Sequence, residues 1–272
     1  MPKEVWTTKL DGDVCVLRFT PDGSLVVGCT DPASPHTVAV NRLQAGDGSI
    51  DHLSTVTAAA SVLSLDLSFD GTLLSTMIGI RPQIQVWRTA TGQEVAARSF
   101  AAQRPGAPRW VAAESALGFW DPDAGKWFAW EPETRLETPI SSPFPAGDSH
   151  LSYLGKGTQV WYPFSPGTVP RLVVTGGERR EIPLGVAWSV GVDPSGKWAA
   201  VINPGADPSG SKGRWVRVID LRTGKVVYRF PGPPRVQTAS LALDRSRLAL
   251  GCGDGRVQLL EMSEALAPGS PE

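Results

Sequence analysis

The side chains best suited to metal or nucleophilic chemistry here are three histidines and three cysteines. His36, His52 and His150 have a spacing that matches no compact metal motif. A serine triad built on one of them would need a Gly-x-Ser-x-Gly elbow, which the chain lacks. Cys29 and Cys252 each end the same local phrase, Leu-x-x-Gly-Cys, so a structural role is expected for both. The stretch Gly205-Ala-Asp-Pro-Ser-Gly-Ser-Lys212 has the glycines of a phosphate loop. Its Ser and Lys stand in the wrong order, and the residues after it read as a strand. Asp121-Pro-Asp-Ala-Gly125 supplies two carboxylates, too few for a tight calcium loop, and reads as a β-turn. Asp66 is one of few acids expected on an innermost strand. No catalytic, metal or cofactor site is predicted.

The elements that would hold such residues are short and numerous. The chain has 272 residues, with 29 glycines and 24 prolines, yet 41% of it is apolar. That combination describes many short strands joined by tight turns, an all-β class, and not a disordered chain. Lys+Arg total 26 against 27 for Asp+Glu. This balance speaks against a nucleic-acid partner, which would require excess positive charge. No apolar run approaches the ~18 residues of a membrane-spanning helix, and residues 1–6 lack the apolar core of a signal peptide. Three cysteines make no disulfide framework, so a reducing cytoplasm is expected.

A repeat lies in the turns. A strand, a polar turn and a second strand recur as Val16–Cys29, Leu65–Ser75, Val190–Val201 and, one residue shorter, Leu241–Cys252. A second phrase follows each, as in Val86-Trp-Arg-Thr-Ala-Thr-Gly92 and Val218-Ile-Asp-Leu-Arg-Thr-Gly224. Those two Thr-Gly turns are three steps of about 44 residues apart, and weaker copies stand between and beyond them. Six copies, at steps of roughly 41–47 residues, fill nearly the whole chain. A four-stranded unit of that length is a propeller blade.

The blades are predicted at about 14–57, 62–98, 109–138, 149–183, 187–230 and 236–261, within one domain spanning 1–261. The last has only three strands. Residues 4–9 form a strand without a blade, so they are expected to complete the sixth and close the ring. Residues 262–272 read as a flexible tail.

These phrases resemble the WD-repeat propellers. The turns stand as Thr20-Pro-Asp-Gly23, Ser68-Phe-Asp-Gly71 and Asp193-Pro-Ser-Gly196. The family's dipeptide position holds Trp87-Arg88, Trp130-Glu131, Ile219-Asp220 and Leu260-Glu261. The chain departs from the family in having no Trp-Asp pair there and no Gly-His dipeptide. The family's His-Asp-Ser-Trp hydrogen-bond relay is therefore not expected. Seven, the family's commonest blade number, is the alternative to six.

The resemblance implies a non-catalytic scaffold that binds a protein or peptide through the loops of one face. Arg81, Arg109, Arg214, Arg235 and Arg256 are expected around one mouth of the ring, where they would favour an acidic partner. Trp110, Trp120 and Trp161 lie near loop ends. If exposed, Trp110 and Trp120 would join the arginines as anchors. A monomer is expected. The alternatives are a small-ligand or sugar sensor, and a hydrolase or lactonase with its site in the central channel.

Overall fold

The computed structural model describes residues 2–79, 82–101, 107–110, 116–141, 149–155, 158–163, 171–175, 178–184, 187, 189–193, 195–203, 213–242 and 246–262. The side chains of 149–155, 158 and 163 are not among the described parts. Among the described residues every regular element is a strand, and the strands form six sheets of four. The six-bladed expectation holds, and the seven-bladed alternative does not.

The strand that opens the chain, β1 (Lys3–Lys9), belongs to the last sheet. The first blade is β2 (Asp13–Phe19), β3 (Leu25–Asp31), β4 (Ser34–Leu43) and β5 (Ile50–Thr57). The second is β6 (Val62–Leu67), β7 (Leu73–Ile78), β8 (Gln83–Arg88) and β9 (Glu94–Ser99). The third is β10 (Arg109–Trp110), β11 (Leu117–Asp121), β12 (Lys126–Glu131) and β13 (Leu136–Ile140). The fourth is β14 (Ser149–Gly155), β15 (Thr158–Pro163), β16 (Arg171–Thr175) and β17 (Arg180–Pro183). The fifth is β18 (Ser189–Val192), β19 (Trp198–Asn203), β20 (Trp215–Asp220) and β21 (Val226–Pro231). The sixth is β22 (Val236–Leu241), β23 (Arg247–Cys252) and β24 (Arg256–Glu261), completed by β1.

Within each blade the strands are antiparallel, and in the first five they follow sequence order, which needs only hairpin turns; the sixth takes β1 as its outer strand. The turn residues explain the repeat. Between the first two strands, Gly23, Gly71 and Gly196 take φ of 82°, 73° and 70°, a region that glycine enters without a Cβ clash. The acid of each turn ties it together. Asp70 accepts from the Thr72 backbone N–H at 3.0 Å. Asp193 accepts from the N–H groups of Lys197 and Trp198 at 2.9 and 2.7 Å. In the third blade the position equivalent to the Thr-Gly glycine holds Arg135, which adopts φ 60° all the same.

Alternate residues of each inner strand face opposite neighbours, so both faces must be apolar. In β19, Trp198, Ala200 and Ile202 pack toward the sixth blade, while Ala199 and Val201 pack toward the fourth. Six buried clusters result, one for each gap between blades. The gap between the third and fourth blades is filled differently. Its buried members are Trp127, Trp161 and Val173, with the two indoles edge to face at 5.1 Å.

Closure is direct. β1 pairs antiparallel with β24 from Lys3↔Glu261 to Lys9↔Arg256. The Leu10 N–H donates to the Gly255 carbonyl at 2.9 Å, and the Lys9 ammonium reaches the Asp254 carbonyl. Trp6 is buried between the sixth and first blades, and its indole N–H donates to the Ala45 carbonyl at 3.1 Å. Thr8 donates to the Gly48 carbonyl at 3.0 Å. β1 therefore stitches the sixth blade to a turn of the first.

The predicted tail lies outside the described residues, except for Met262. That residue is buried and its N–H donates to the Ser246 carbonyl at 2.7 Å, so it belongs to the sixth blade's packing.

Removing residues 1–9 leaves β24 with an unpaired edge and removes Trp6 from the core. The truncated protein is expected to oligomerise or aggregate, with a melting temperature lower by more than 10 °C. A loss of about 3–5 kcal/mol from Trp6 alone supports that size. Sedimentation velocity and thermal unfolding check it.

Candidate functional site

The innermost strands surround an axial cavity of about 450 Å³. Its charged described lining consists of Arg18, Asp66 and Arg109, contributed by three consecutive blades. Strand register explains the first contact. Arg18 and Asp66 each stand one residue before the end of their blade's inner strand, paired with Val26 and Ser75 respectively. Gly191 and Ser240 hold the same place in the fifth and sixth blades. These four positions form one layer around the axis. A β-carbon at Gly191 would overlap the carbonyl oxygen of Ala239, so this layer is tight between the fifth and sixth blades.

Asp66 is buried and anchors the layer. Its Oδ1 accepts from Arg18 Nη2 at 3.0 Å, and its Oδ2 accepts from the Trp110 backbone N–H at 2.9 Å. The Trp110 indole N–H donates to the Asp66 carbonyl at 3.2 Å. Arg109 Nη1 lies 3.9 Å from Asp66 Oδ1, an ion pair without a hydrogen bond. The Arg18 guanidinium also sits over the Phe69 ring, 4.2 Å from its centroid. Asp66 thus joins the first three blades at the axis.

Three of the arginines expected at one mouth share an end of the blades: Arg214 immediately precedes β20, Arg235 lies in the turn before β22, and Arg256 begins β24. All three occur where second strands lead to third strands or where one blade leads to the next. Arg109 does not join them: it pairs with Gly118, next to Trp110↔Leu117, which is the register of Asp66 toward the other end of the inner strand. Arg81 lies outside the described residues. Arg235 is exposed and takes φ 62°. Arg256 pairs with Asp254 at 2.8 Å and donates to the Pro234 carbonyl at 3.2 Å. Arg214 donates to the Val236 carbonyl. Arg214 and Arg256 therefore also brace the turn that carries Arg235.

The tryptophans need correction. Trp110 is 1% exposed and Trp161 is fully buried, so neither is presented to solvent. Both fill gaps between blades, where a large ring replaces several aliphatic side chains. Trp120 is half-buried and leans on Trp127, with ring centroids 6.1 Å apart.

The residues weighed for chemistry are held in structural roles. Asp121 Oδ1 accepts from the N–H groups of Asp123 and Ala124 at 2.8 and 3.1 Å, and Oδ2 pairs with Arg98 at 2.9 Å. It organises a turn, and Gly125 there takes φ 63°. His52 sits on an outermost strand between Asn41 at 3.1 Å and Thr55 at 3.3 Å. His36 is exposed, and the His150 side chain and residues 204–212 lie outside the described parts. Among the described residues, no group of three or more His, Cys, Asp or Glu is placed to hold a metal ion. One link of the hydrogen-bond relay that was not expected is present: the Trp87 indole N–H donates to Thr76 Oγ1 at 3.1 Å.

Arg18 and the Trp110 backbone N–H were not singled out from the sequence. A signal for Arg18 existed. Aligning the inner strands by their turns puts an arginine and an aspartate in the same register of adjacent blades, inside otherwise apolar strands.

All three cysteines are free. Burial pushes the Cys29 thiol up to about 12 and the Cys252 thiol up to about 11. Burial raises Cys15 as well, partly opposed by hydrogen bonding to Thr30. A raised thiol pKa means neutral sulfur at pH 8. Iodoacetamide at pH 8 is therefore expected to leave Cys29 and Cys252 unlabelled in the native protein, and to label Cys15 slowly, since it lines the cavity. Mass spectrometry before and after denaturation checks this, with all three labelled once unfolded.

No protein-family model matches the sequence, and no curated protein matches it. Solved structures do match. A chain in the crystal structure of a mitotic checkpoint complex superposes with a TM-score of 0.58, at 12% identity, covering 96% of this chain and 94% of that one. At that identity the likeness is one of fold, and it supports a WD-repeat-like propeller.

Proposed function

We propose that this protein is a non-catalytic interaction scaffold that takes an acidic protein or peptide segment on the face bearing Arg214, Arg235 and Arg256. The observation that carries this reading is the position of those three arginines, just before β20, in the turn before β22 and at the start of β24, all at one end of the fifth and sixth blades. Arginine suits such a face because its planar fork binds carboxylates in pairs of hydrogen bonds. The likeness to a chain of a multiprotein assembly supports the same reading. The free cysteines support a reducing, cytoplasmic setting.

The absence of catalysis is part of the proposal. Both Asp66 oxygens already accept hydrogen bonds from the protein, and the thiols are held neutral. His52 lies on an outer strand, away from the axis.

The test is capture of a stoichiometric partner by the wild-type protein, followed by screening of acidic peptides from that partner. Arg214→Ala and Arg235→Ala are each expected to weaken binding about tenfold, the size of loss shown by an anchoring arginine. Binding should also weaken with added salt. Affinity unchanged in both variants would contradict this face as the docking surface.

A further inference from the structure

The axial layer has more donors than acceptors. Asp66 is the sole acid among the cavity's described lining residues, and Arg18 and Arg109 stand against it. The described lining therefore carries one positive charge in excess. Asp66 is also saturated in a geometric sense. One oxygen takes Arg18 and the other takes the Trp110 N–H, which leaves Arg109 at 3.9 Å.

One set of guanidinium donors faces the cavity unused: Arg109 is partly exposed there and makes no hydrogen bond among the described residues. The largely buried Arg18 guanidinium adds its charge beside it, engaged with Asp66. The cavity wall also presents apolar surface. Leu63 lines it and is 46% exposed, although it lies on an innermost strand. Gln237 and Thr238 add neutral polar groups on the opposite wall.

Taken together, these features fit one chemical class. We infer that the axial cavity binds a small organic oxyanion, a carboxylate or phosphate monoester on an apolar body, with Arg109 hydrogen-bonding the anionic end, the Arg18 charge beside it, and Leu63 against the body. A volume of about 450 Å³ admits a molecule of that size. The inference does not rest on the partner face proposed above. A scaffold with this site would be a ligand-responsive one.

Benzoate and phenyl phosphate are the probes, with benzamide as the neutral control, measured by titration calorimetry on the full chain at low ionic strength. The expected result is saturable binding of at least one anion and none of benzamide. Which anion binds more tightly decides between carboxylate and phosphate. Arg109→Gln, at a partly exposed position, should weaken that anion at least tenfold while leaving the melting temperature nearly unchanged. Asp66→Asn should act in the opposite sense. It removes the competing carboxylate, so the anion should bind more tightly and raise the melting temperature more than in the wild type. Should Asp66→Asn fail to fold, Arg109→Gln decides alone. No binding of either anion at tens of millimolar, or equal binding by wild type and Arg109→Gln, overturns the inference.

Discussion

The pairing of β1 with β24 is the constraint on which the rest depends. Each blade offers two apolar faces, and only a closed ring covers all twelve of them. Without β1, the sixth blade has three strands and an open edge. With it, the first and last parts of the chain share one sheet, and Trp6 fills the gap that the ring must close. β1 is largely solvent-exposed, so its value lies in its backbone hydrogen bonds and in Trp6. The closure is also sterically tight. A β-carbon at Gly255 would overlap the carbonyl oxygen of Leu10, and the residue's φ of 84° already favours glycine.

Closure also sets the geometry at the axis. Inner strands that follow one another around an axis bring residues of adjacent blades into one layer. Arg18 and Asp66 are 48 apart in sequence and meet at 3.0 Å. The same arrangement brings Arg214 of the fifth blade and Arg235 and Arg256 of the sixth to one face. The axial cation excess and the arginine-bearing face follow from one architecture and answer to separate experiments.

The architecture was legible in the sequence because its turns demand particular residues. Gly23, Gly71 and Gly196 recur because each takes positive φ, and the nearby acids recur because each binds turn N–H groups. Blades three and four were legible mainly by spacing. There Arg135 stands in a left-handed position that glycine takes elsewhere, and β10 is reduced to two residues. The axial cluster was less legible, since its contacts cross between blades. Asp66 was noticed as an acid on an inner strand. Its partners Arg18 and the Trp110 N–H required knowing which registers align. Trp110 and Trp161 illustrate the opposite difficulty. Proximity to a loop suggested exposure, yet in a ring of blades the strand ends still face a neighbour.

Native-state hydrogen exchange tests the central claim most directly. If β1 closes a single cooperative ring, its bonded amides exchange only through global unfolding, with the same protection as those of β3 and β23. Amides of β1 that exchange orders of magnitude faster, while β3 and β23 stay protected, would show a strand that frays independently and a ring that stands without it.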